Sequence, residues 1–128
     1  MAYYNSRQVE YSFEDTIKKV SEELKNEGFG VLTEIDVKET LKKKLDLDFR
    51  KYKILGACNP PFAYKALQEE DNIGVLLPCN IVVQEKENGK VFVSMVNPLE
   101  SMKAVKNPKL GEIALQISNK LNIVLQAL

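Results

Sequence analysis

Histidine and tryptophan are both absent from this chain of 128 residues. Without an imidazole there is no Ser-His-Asp or Cys-His nucleophile, no histidine general base and none of the usual mixed zinc sites, so most familiar hydrolase mechanisms are excluded. Cysteine is nearly absent as well. Cys58 and Cys79 stand alone, and the Cys-x-x-Cys spacing typical of structural zinc is missing, so no metal is assigned. Net charge is lacking: 18 basic side chains balance 18 acidic ones, which leaves no overall field to draw in nucleic acid or an anionic membrane. There is also no long hydrophobic run. The longest, Ile73 to Val83, is interrupted by Gly74, Pro78 and Asn80, and a membrane span needs about 20 apolar residues. The opening Met-Ala-Tyr-Tyr-Asn-Ser-Arg-Gln lacks the apolar core of a secretory signal. The expected setting is the cytoplasm, where two cysteines are read as reduced thiols rather than a structural disulfide.

What is present describes one globular domain over residues 1–128, long enough to bury roughly two-thirds of its unfolded surface without disulfide or metal. Residues 2 to 11 alternate as a first strand. Ser12 with Asp15 reads as a helix cap with an acidic first turn, and Phe13, Ile17, Val20 and Leu24 mark one apolar stripe on a helix that ends at Gly28. Phe29, Val31, Thr33 and Ile35 alternate as a second strand. Asp36 with Glu39 forms a capping pattern before a short basic helix carrying Leu41 and Leu45.

Tyr52, Ile54, Gly56 and Cys58 share a parity in a third strand, and Asn59-Pro60 suits the cap and first position of a short helix through Phe62, Tyr64 and Leu67. Ile73 to Val83 alternates as a long strand that Pro78 should bend. Asn88-Gly89 then predicts a two-residue hairpin into Val91 to Val96, with Val83 opposite Ser94. Asn107-Pro108 opens a closing helix whose stripe runs Leu110, Ile113, Ala114, Ile117, Leu121 and Val124. The fold expected is α+β: a single antiparallel sheet with two principal helices on one face and short helices inserted.

Two segments repeat one design. Leu55-Gly-Ala-Cys-Asn-Pro-Pro61 and Leu76-Leu-Pro-Cys-Asn80 each bring an apolar run to a cysteine followed by asparagine, with proline nearby. Cys58, Asn59, Cys79 and Asn80 are therefore the first candidates for a site, with the thiols converging if their strands end together. The helix opening at Pro60 would add amide donors, giving an anion or carboxylate pocket. Glu34 and Asp36, two apart on a strand and so on one face, are further ligand-binding candidates, against the favoured alternative that Asp36 caps the next helix and Glu34 pairs with a lysine. Residues 38 to 53 carry 7 basic and 3 acidic side chains, including Lys42, Lys43, Lys44, Arg50, Lys51 and Lys53; such a run usually faces solvent.

Glu34-Ile-Asp36, Ile54-Leu-Gly-Ala-Cys-Asn-Pro60 and Gly74-Val-Leu-Leu-Pro-Cys79, taken in order, resemble the family catalogued as domain of unknown function 302, over nearly the whole chain. The resemblance implies a TATA-box-binding-protein-like arrangement with the order β-α-β-β-β-β-α, commonly a homodimer, and no established activity. DNA binding is the obvious analogy, and the zero net charge argues against it. Three functions are left open. The first is a homodimeric small-ligand-binding or accessory module with a pocket around the two Cys-Asn segments. The second is a thiol-dependent redox or sulfur-handling protein using Cys58 and Cys79. The third is a purely structural or interaction dimer.

Overall fold

The computed structural model describes residues 2–128. Ten regular elements follow one another: β1 (Tyr4–Val9), α1 (Phe13–Asn26), β2 (Gly30–Asp36), α2 (Val37–Leu45), β3 (Tyr52–Cys58), α3 (Pro60–Glu69), β4 (Cys79–Glu85), β5 (Val91–Val96), α4 (Pro98–Ser101) and α5 (Pro108–Gln126). The strands form one antiparallel sheet in the order β1-β5-β4-β3-β2. The inward residues of β3, β4 and β5 (Leu55, Ala57, Cys79, Ile81, Val83, Val91, Val93 and Met95) form one core with the buried stripes of α1 and α5. The opposite face of the sheet carries Tyr4, Ser6, Tyr52, Asn80, Val82, Gln84, Phe92, Ser94 and Val96 around a shallow open hollow.

Helix α1 starts where Ser12 accepts the Asp15 amide at 3.1 Å. It ends in a Schellman turn: Gly28, at φ +85°, donates to the Lys25 carbonyl and Phe29 to that of Leu24. That turn needs a left-handed residue, which glycine supplies, and it delivers Phe29 into the core beside β2. The expected stripe is buried at Phe13, Val20 and Leu24, and Ile17 packs against the core from its margin. On α5 all six expected positions are buried.

The long strand expected from Ile73 to Val83 does not form as one piece. Ile73–Leu76 is a 3₁₀ turn, Leu77-Pro78 is a cis peptide, and pairing begins only at Cys79. Proline has no amide to give to the ladder, and Ile73 is buried while Val75 is exposed, so the run divides at Pro78. The hairpin register also differs by one residue: Val83 faces Val93, and Ser94 lies opposite Val82. The loop has three residues rather than two, closed by the Lys86 amide on the Lys90 carbonyl, with Gly89 at φ +79°.

Candidate functional site

Three Asn-Pro dipeptides stand at helix starts, and two of them cap. Asn97 and Asn107 accept the amide two residues on, from Leu99 at 3.2 Å and Lys109 at 3.1 Å, while their own amides reach back to Ala2 and Glu69 carbonyls. Asn59 occupies the same position before α3 but makes no side-chain cap. Its Nδ2 instead donates to the Glu27 carbonyl at 3.2 Å, tying the end of α1 to the β3–α3 junction. Asn59 is thus buried and held by the fold on at least one side of its amide.

Beside it lies a cavity of about 260 Å³. The wall is assembled from most of the chain: Phe29 and Thr33 around β2, Ala57, Cys58 and Asn59 at the end of β3, Phe62, Ala63 and Ala66 on α3, Leu77, Pro78 and Cys79 before β4, with Met102 and Ile117 behind. The register explains why both thiols are there. Ala57 is paired with Cys79, so Cys58, the next residue, lies diagonally across from it at the sheet's end. Phe62 and Ala66 are one helical turn apart and share the inner face of α3, whereas Tyr64 and Leu67 are exposed.

Gly56 holds this corner together by having no side chain. A Cβ there would stand 2.7 Å from Pro78 Cγ and would collide with Thr33 Oγ1. Thr33 and Pro78 can therefore close over β3 only because residue 56 is glycine. The ladder between β2 and β3 also slips between Val31 and Thr33, a bulge that leaves Leu32 and Thr33 on the cavity rim.

The electrostatics are those of an apolar compartment. No carboxylate, ammonium or guanidinium lines the cavity. Burial, and secondarily the neighbouring Cys58 thiol, pushes the Cys79 thiol from 9.0 up to about 11. Cys79 is thus a protonated, space-filling thiol at neutral pH and a poor nucleophile. Both cysteines are free. The helix start expected to bind an anion is short of donors, because Pro60 and Pro61 fill its first two positions and carry no N–H, leaving the Phe62 amide.

The remaining candidates lie elsewhere. Asn80 is exposed on the open sheet face, opposite Gly56. Glu34 and Asp36 lie on the edge strand β2, opposite Leu55 and Lys53, and outside the cavity wall. The Asp36 carboxylate accepts the Glu39 amide at 2.9 Å and caps α2. The basic stretch is also outside the wall: Lys42 pairs with Asp46 and Asp48, Lys43 with Glu39, and Lys51 with Glu14. Among the described residues no group of three or more Cys, Asp or Glu side chains is arranged to hold a metal ion, and no helix is long and apolar enough to cross a membrane. The sequence reading missed Phe29, Thr33, Met102 and Ile117 as wall residues. Only the parity of Phe29 with Val31 and the stripe position of Ile117 hinted that they point inward.

No curated protein matches this chain. Among solved structures, one described as the crystal structure of uncharacterized conserved protein DUF302 from Bacillus stearothermophilus is similar, with 35% identity, a TM-score of 0.92 and 98% of each chain covered. Residues 5–128 match the family described as Domain of unknown function DUF302. With the match spanning nearly every strand and helix described above, the chain belongs to the DUF302 family.

Proposed function

We propose that this protein is a small-ligand-binding module whose site is the cavity shared by the Cys58-Asn59 segment and Cys79. One observation carries the reading. A concave, largely apolar pocket of about 260 Å³ opens where the Cys58-Asn59 segment and Cys79 come together. A concave site with few polar groups is the usual form of a small-molecule pocket.

The same proposal makes the protein a cytoplasmic homodimer. In support, Tyr52, Val82, Phe92 and Val96 form a partly apolar, half-buried patch around the hollow on the open sheet face. Val82→Lys is expected to convert a dimer to a monomer in light scattering; a wild-type monomer at micromolar concentration would remove this part.

Native mass spectrometry on protein purified without chelator or reductant tests the ligand reading. An organic adduct is expected on the wild type and lost in Ala63→Leu, which fills the cavity from α3. An adduct that persists in Ala63→Leu would place the ligand elsewhere. Reversible thiol chemistry is the second reading, supported by the two thiols sharing one wall. The high proton affinity of Cys79 weighs against it, and a mass lower by two hydrogens per chain would restore it.

A further inference from the structure

We infer that the ligand of this cavity is an uncharged, apolar molecule, and that Pro60 and Pro61 are the residues that turn anions away. The inference rests on the binding reading above and adds the chemical class. The first turn of α3 faces the cavity through Asn59, Phe62 and Ala63. Such a helix start ordinarily offers unpaired amides and the positive end of the helix dipole to a carboxylate or phosphate. Here the first two helical positions have no N–H at all and the Ala63 amide is already bonded to the Asn59 carbonyl at 2.9 Å, so of the first turn only the Phe62 amide is left to donate. The Asn59 side-chain amide spends one of its two hydrogens on the Glu27 carbonyl.

No other group compensates. The wall has no cationic side chain, and its polar members are two thiols, one hydroxyl and one tethered amide. An anion entering would give up its hydration for a few neutral donors and no opposite charge, which is costly in an apolar site, whereas an aliphatic or aromatic neutral molecule loses only unfavourable contact with water. The volume, about 260 Å³, is below the range of drug-sized pockets and selects a short chain or a single ring.

Octanol and octanoate separate the possibilities, since they share a chain and differ in charge. Titrated at pH 7 by calorimetry, with amide chemical shifts reporting location, octanol is expected to bind at least about tenfold more tightly than octanoate, a difference of about 1.4 kcal/mol. The shifts should centre on Phe62, Ala63 and Cys79, and Ala63→Leu should abolish binding. In the double variant Pro60→Ala, Pro61→Ala, which restores two amide donors without adding charge, the disadvantage of octanoate should narrow several-fold while octanol is unchanged. Equal or tighter octanoate binding in the wild type would overturn the class of ligand while leaving the cavity as a binding site. An unchanged ratio in the double variant, folded by circular dichroism, would overturn the role of the prolines. Failure of both probes to bind would overturn the site itself.

Discussion

The two Cys-Asn dipeptides are identical in sequence and opposite in fate. At Cys58-Asn59 the asparagine is buried and hydrogen-bonded while the cysteine is half-buried; at Cys79-Asn80 the cysteine is buried and the asparagine is exposed. Leu55 and Ala57 face the core from β3, so the same alternation leaves Cys58 off that face and turns Asn59 inward to the end of α1. Cys79 begins a strand, so alternation governs the pair and sends Asn80 to the open face. A repeated motif thus does not imply a repeated role. Its phase in the strand's alternation decides which residue faces the core.

The widest separation between the segments is expected in alkali. Cys79 has its folded pKa raised above its unfolded value, so between pH 9 and 11 the unfolded chain has lost a thiol proton that the native chain still holds. The unfolded state then binds fewer protons and stability falls as pH rises, by up to about 3 kcal/mol for two pKa units. Urea unfolding at stepped pH should show this decline in the wild type and in Cys58→Ala, and a flattened one in Cys79→Ala. An equal decline in all three would dissolve the distinction.

Gly56 stands between the segments, and Gly56→Ala should cost about 2 kcal/mol through overpacking against Thr33 and Pro78. Gly30→Ala, with nothing within 4 Å of the added methyl, should change stability by no more than about 0.5 kcal/mol. Asn59→Ala should cost about 1.5 kcal/mol by leaving the Glu27 carbonyl without its donor, against about 0.5 kcal/mol or less for Asn80→Ala. Matching losses in the two asparagine variants would contradict the assigned roles. The smallest effect is kinetic: iodoacetamide should label Cys58 in the native protein before Cys79, which is 6% exposed and whose thiol burial pushes up to about 11.

Much of the fold was legible in the residues. Ser12-Asp15 and Asp36-Glu39 read as caps because such bonds close within three residues, and both are made. The α5 stripe read correctly because one helical period repeats over about five turns. Pro78 was expected to bend a strand and instead divides it. The hairpin slipped by one because Asn-Gly serves two-residue and three-residue loops alike, and only the facing strands choose between them. The site was half legible. The cysteines drew notice by their rarity, but the side-chain amide of each Asn-Pro asparagine reaches a carbonyl 32 to 95 positions away. No local pattern records such a partner.

By itself, the sequence determined what chemistry is unavailable, where the helices start, which faces are apolar and that one α+β domain results. Those properties depend on side-chain identity and on periods of two or 3.6 residues, both local. Tertiary structure alone decided that Cys58 and Cys79 share a wall, that Asn59 serves the fold and Asn80 faces outward, and that a pocket opens between them. Those outcomes depend on strand register and on how distant elements close over one glycine, Gly56, and no stretch of chain carries that information on its own.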